Sequence, residues 1–142
     1  TDKQSLVTAT FQLATDRLLA ASMAAAAHAS DAHERVDQFI RGAYRDEFLE
    51  PGYLTLRLSL WAMARTDHAI AAAEASLYVR YAEHMQQLIA LARPDLDPTE
   101  VAHRVTDVIV TQNGLWLNWA RYRKADDLER GLQRCVRLAL GD

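Results

Sequence analysis

Cysteine is nearly missing from this chain. Cys135 stands alone among 142 residues, so no internal disulfide can form, which fits a reducing cytoplasm. Breakers are also scarce, with three prolines and five glycines. Few breakers beside abundant alanine and leucine favour helices. There is no excess of positive charge: 16 Lys and Arg stand against 19 Asp and Glu, for a net charge of −3. A mildly acidic surface has no general attraction for nucleic acid. The longest uncharged stretches, Leu18 to Ala29 and Val108 to Ala120, are too short to span a bilayer, and Thr111, Gln112, Asn113 and Asn118 interrupt the second. No basic segment followed by an apolar one opens the chain. The length suits one domain with its own core. These absences predict a single soluble, all-α, cytoplasmic domain over residues 1–142, with no membrane partner. The start at Thr1 rather than Met leads us to expect further chain upstream.

Catalytic signatures are missing too. There is no Gly-x-Ser-x-Gly turn or glycine-rich phosphate loop. Ser59 has no evident base. The histidines (28, 33, 68, 84 and 103) form no His-x-x-x-His pair, and Cys135 has no neighbouring ligand, so no zinc site is expected. Glu100-Val101-Ala102-His103 has the Glu-x-x-His spacing of di-iron bundles, but only one copy is present, and Glu100 is placed to act in a helix cap. We expect no enzyme, no metal and no cofactor.

What is present is helical periodicity. Six helices can be read from caps and apolar spacing. The first runs from about Asp2 to Ala29, after a Thr1/Gln4 capping box. The second runs from Asp31 to Leu49, with Asp31 and Glu34 at capping-box spacing. Pro51-Gly52 then breaks the chain, and a third helix from about Tyr53 to Ala64 has apolar residues on so many faces that deep burial is expected. The fourth spans Thr66 to Ala92, with Ile70, Glu74, Leu77, Tyr81, His84, Leu88 and Leu91 in one stripe. The fifth opens at Asp97-Pro98-Thr99-Glu100, a strong start signal, and ends near Ala120. The sixth starts at Asp126, with Glu129 completing a capping box, and stops at Gly141.

The last two helices carry more apolar surface than one core needs. Val101, Val105, Val108, Gln112, Trp116 and Trp119 form one stripe, while Val110 and Leu117 fall elsewhere. On the final helix Leu128, Leu132, Cys135, Val136 and Ala139 line up. A second copy of the chain would cover such a surface and make a four-helix bundle. We therefore expect a homodimer through Val110, Leu117, Leu128, Leu132, Cys135, Val136 and Ala139. The other reading is a helix central in its own core.

Aromatic residues gather at mid-helix positions: Phe39, Tyr44, Trp61, Tyr78, Tyr81 and Trp116. An apolar cavity between helices with a few polar groups is the usual form of a small-molecule site. Glu74, Gln112 and Asn113 supply those groups. The expected ligand contacts are Phe39, Tyr44, Trp61, Glu74, Tyr81, Gln112, Asn113 and Trp116. Plain core packing is the alternative for each aromatic, and an arginine partner is the alternative for Glu74.

Three passages, in order, resemble the C-terminal regulatory domain of TetR-family repressors, in its BetI-like subtype. Asp2-Lys3-Gln4-Ser5-Leu6 is similar to the start of the helix that follows the DNA-binding head. Phe48-Leu49-Glu50-Pro51 leading to Leu60-Trp61-Ala62 is similar to the subtype's tryptophan-bearing central helix. Asn113-Gly114-Leu115-Trp116-Leu117 resembles its Asp-Gly-Leu-Trp motif, with Asn113 in place of the acid. The resemblance implies a TetR-like regulatory fold and a small-molecule effector bound between the helices. It also implies a dimer held by the last two helices, and DNA contacts made only through a helix-turn-helix head that would precede Thr1. A protein–protein adaptor working through the Trp116 and Trp119 face is the rival reading, with a helical-bundle enzyme behind it.

Overall fold

The computed structural model describes residues 2–142, with side chains from Lys3 onward. The expected capping box at Thr1 lies outside the described residues. Seven helices follow one another: α1 Asp2–Ala27, α2 Ala32–Gly42, α3 Asp46–Leu49, α4 Pro51–Met63, α5 His68–Ala92, α6 Pro98–Tyr122 and α7 Ala125–Leu140. No strand occurs among the described residues. Nor is any described helix long and apolar enough to cross a membrane.

Local chemistry sets several of these starts. Asp31 accepts from the Glu34 amide, Asp67 from the amides of Ala69 and Ile70, and Asp97 from that of Glu100. Each satisfies an N–H that the helix leaves free. Pro98 and Pro51 each sit in a first turn, where a missing N–H costs nothing. Thus Pro51-Gly52 opens α4 instead of breaking the chain ahead of it. α6 ends at Arg123 in the left-handed region, with φ of 50°.

Tertiary contacts override other local expectations. The predicted second helix stops at Gly42, the weakest helix former in the segment, and restarts as the single turn of α3. That break seats Tyr44 and Phe48 in the core. α7 begins at Ala125 with no side-chain cap. Glu129, expected in a capping box, instead accepts from both terminal guanidinium nitrogens of Arg41, at 2.9 and 3.1 Å. A bidentate charged pair is stronger than a cap bond, and this one ties α2 to α7. The other two expected capping acids keep local partners: Glu100 accepts from Arg104 one turn on at 2.9 Å, and Glu34 accepts from the Ser30 amide.

α5 runs through the middle, in contact with α1, α2, α4, α6 and α7. Its buried series is Ile70, Ala73, Leu77, Tyr81, Met85, Ile89 and Ala92. The expected stripe is therefore rotated: Leu91 is exposed, and His84 sits half-buried against Phe39. α4 is less buried than its composition suggests, since only Leu54, Arg57 and Leu60 go inside. Most buried residues form one core around α2, α5, α6 and α7. A smaller cluster of Phe11, Leu60, Ile70 and Ala73 joins α1, α4 and α5. At the crossing of α1 and α2, Gly42 lies directly on the backbone of Ser22.

Candidate functional site

Where α1, α4, α5 and α6 converge, they leave a half-open cavity of about 80 Å³. α1 contributes Leu18, and Ala43 follows α2. Arg57 comes from α4, and α5 supplies Glu74, Leu77, Tyr78 and Tyr81. α6 completes the lining with Ile109, Gln112, Asn113 and Trp116. The spacing of the α6 residues explains their meeting: positions 109, 112, 113 and 116 share one helical face.

A hydrogen-bonded aromatic frame holds the wall. The Tyr44 hydroxyl donates to the Gln112 carbonyl at 2.7 Å, and Gln112 Nε2 donates to the Tyr81 hydroxyl at 2.9 Å. Trp116 stacks on Tyr44 with centroids 4.4 Å apart. Tyr81 rests on Phe39 at 4.8 Å. Burial pushes both tyrosine hydroxyls well above their ordinary pKa, so they stay protonated as hydrogen-bonding groups. The frame fixes rotamers that would otherwise be free, and it leaves the cavity preformed.

The charged groups are less settled. Glu74 Oε2 is buried without a partner. Burial raises its carboxyl pKa, while the Arg57 charge and the Trp61 indole pull it part of the way back. A carboxyl with a raised folded-state pKa binds protons more readily folded than unfolded. The stability it confers is therefore present at low pH and is lost as pH rises from the unfolded pKa through the folded one. Glu74→Gln should be at least as stable as the parent near pH 7, with the difference closing below the ordinary glutamate pKa of about 4.3. Thermal melts of both proteins across that range check this. A parent more stable than the variant at neutral pH would mean that the carboxylate is firmly paired.

Of the residues expected to touch a ligand, Glu74, Tyr81, Gln112, Asn113 and Trp116 line the cavity. Phe39, Tyr44 and Trp61 do not. Phe39 stands behind Tyr81, Tyr44 behind Trp116, and Trp61 beneath Arg57. Phe39 on α2, Tyr44 in the turn after it and Trp61 on α4 thus stand behind the lining and support it. Arg57 was missed by sequence reasoning. Its signal was available: a lone charge at the middle of Leu54, Arg57 and Leu60, three positions on one face of an apolar helix.

The residues expected at a dimer contact divide into two groups. Leu132, Cys135 and Ala139 are buried within the chain's own core, and Leu128 and Val136 pack partly against it. The α7 stripe is therefore satisfied internally by α2, α5 and α6, and three of its members have no surface left for a partner. Burial also pushes the Cys135 thiol up to about 11, so it is inert as a nucleophile near neutral pH. The outward face of α7 carries Arg130, Gln133, Arg134 and Arg137. On α6, by contrast, Val110 and Leu117 are 65% and 46% exposed. Among the described residues, no group of three or more potential metal ligands occurs.

A search of curated proteins finds no match. A Pseudomonas aeruginosa PAO1 protein solved by crystallography, and described as a transcriptional regulator, has a similar fold. It superposes with a TM-score of 0.84 over 94% of this chain at 20% identity. The chain spans 65% of that protein's length. The family of BetI-type transcriptional repressor C-terminal domains matches residues 32–139, a span that includes α2 to α6 and nearly all of α7. With that match across most of its length, this all-helical chain belongs to the BetI-type transcriptional repressor C-terminal family.

Proposed function

We propose that this domain is the effector-binding and dimerisation part of a bacterial TetR-type repressor that works in the cytoplasm. A small molecule enters the cleft among α1, α4, α5 and α6, and its binding alters how two copies sit against each other. DNA is gripped by a separate head that precedes this domain in the whole protein. The ligand shifts the equilibrium only to the extent that it prefers one arrangement of the pair. The observation that carries this reading is the cleft itself. It is a preformed, aromatic-walled cavity holding unpartnered polar groups, on a fold shared with regulators.

Dimerisation has its own support. Val110, Gly114 and Leu117 recur at helical spacing on the outer face of α6. Gly114 has open space where a Cβ would stand, so another helix can approach closely there. The contact proposed here is thus centred on α6, with Val110 and Leu117 as its apolar members. Leu117→Asp should convert a dimer into a folded monomer, because it would bury an unpaired charge at the contact. Sedimentation equilibrium of both proteins at matched concentration, with circular dichroism to verify folding, checks this. A parent that stays monomeric at high micromolar concentration would sink the dimer.

A further inference from the structure

The cleft contains a charge that makes no ion-pair contact among the described residues. Arg57 is 9% exposed, yet it takes part in none of the ion pairs among the described residues. Its side-chain partners are the Tyr53 hydroxyl, at a long 3.5 Å, and the Trp61 ring, whose centroid lies 5.4 Å from the guanidinium carbon. A guanidinium withdrawn from water calls for an anion. Its planar fork of donors suits a carboxylate. Glu74 lines the same cleft but makes no ion pair with Arg57. Its Oε2 is buried and accepts no hydrogen bond. The site thus presents, in one lining, a cation without an ion-pair partner and an acceptor oxygen without a donor.

A complementary ligand must answer both groups. A plain cation would satisfy Glu74 and leave Arg57 unbalanced. A plain carboxylate would satisfy Arg57, but it would leave Glu74 Oε2 dry and bring two like charges together. A molecule carrying a carboxylate with a hydroxyl or ammonium on the adjacent carbon answers both. The cavity of about 80 Å³ is half-open and is filled by a small molecule, and Tyr81 and Trp116 offer apolar walls to its carbon side. On the reading of this cleft as an effector site, we propose that the effector is a small hydroxy- or amino-carboxylate. Its carboxylate rests on Arg57, and its donor group on Glu74.

The test is isothermal titration and thermal melting of the 142-residue chain with five probes of similar size. L-lactate and L-alanine carry both groups. Propionate lacks the donor, lactamide lacks the charge, and isopropylamine is a cation alone. The expected result is that lactate or alanine binds and raises the melting temperature, propionate binds more weakly, and the last two do not bind. Arg57→Gln should weaken binding about tenfold or more, with partial recovery in Arg57→Lys. Glu74→Gln should reduce the preference for lactate or alanine over propionate and strengthen propionate binding, because it removes the like charge. The Arg57→Lys and Glu74→Gln comparisons keep the test decisive if Arg57→Gln fails to fold. Binding of isopropylamine or lactamide in preference to the acids would overturn the ligand class and leave the effector cleft standing. Silence from all five probes would also overturn the class. An apolar fluorescent dye whose binding is lost in Trp116→Ala would then separate a cleft that takes other ligands from one that takes none.

Discussion

Phe39→Ala should lower the stability of the domain by about 3–5 kcal/mol, the usual cost of emptying a buried phenylalanine site. Phe39 is fully buried, with Tyr81 at 4.8 Å and His84 at 5.6 Å between ring centroids. Truncation removes the transfer energy of the ring and both aromatic contacts. It also leaves a cavity between α2 and α5 that the surrounding helices can only partly close. Domains of this size are stable by about 5–15 kcal/mol, so the loss is a large share of the total. Urea unfolding at fixed protomer concentration should show a lower midpoint with an unchanged slope. A change under about 1 kcal/mol would contradict the packing described for Phe39. The substitution should also loosen the cleft, because Tyr81 rests on Phe39 and receives the Gln112 hydrogen bond.

Gly42→Ala should destabilise the fold by about 1–3 kcal/mol, as overpacking does, even though alanine is the better helix former. A Cβ at this position would meet Ser22 Cα at 2.7 Å, the Ala21 carbonyl oxygen at 3.0 Å and Ser22 N at 3.1 Å. All three are backbone atoms of α1, so no side chain can swing aside, and the two helices must separate. The helix-propensity gain of about 1 kcal/mol offsets only part of that. Gly42→Val should be worse, since two further methyls enter the same gap. Gly52→Ala is the control: Gly52 is exposed in the first turn of α4, and nothing lies within 4 Å of its Cβ position. It should be neutral or stabilising by up to about 1 kcal/mol. Parallel urea titrations of the two alanine variants decide the matter. Equal effects would mean that α1 and α2 do not cross tightly at Ser22.

Much of this architecture is legible without coordinates. Asp31 and Asp97 cap the helices they were expected to cap. Pro98 and Gly141 punctuate where their chemistry requires. These are effects of a few neighbouring residues, and a linear sequence contains all their terms. The motif residues Asn113 and Trp116 and the polar residues Glu74 and Gln112 do meet at one cleft, because helical phase brought the right faces forward.

The remainder was decided by partners distant in the chain. Glu129 abandoned its local cap for Arg41, 88 positions away. Local spacing shows that a cap is possible, but not that a stronger bidentate partner stands opposite. The apolar stripe of α7 was visible, but its destination was not: Leu132, Cys135 and Ala139 were taken up by the chain's own α2, α5 and α6. A stripe states that a face must be covered and leaves open what covers it. The same holds for Phe39, Tyr44 and Trp61, which read as cleft aromatics and became its supports. By itself, the sequence determined the helical class, most helix boundaries and which residues carry polar chemistry, since propensity, capping and periodicity act over a few residues. Only the tertiary structure decided that Arg57 and Glu74 face one cavity without pairing, because burial and the distance between charges arise where separate helices meet.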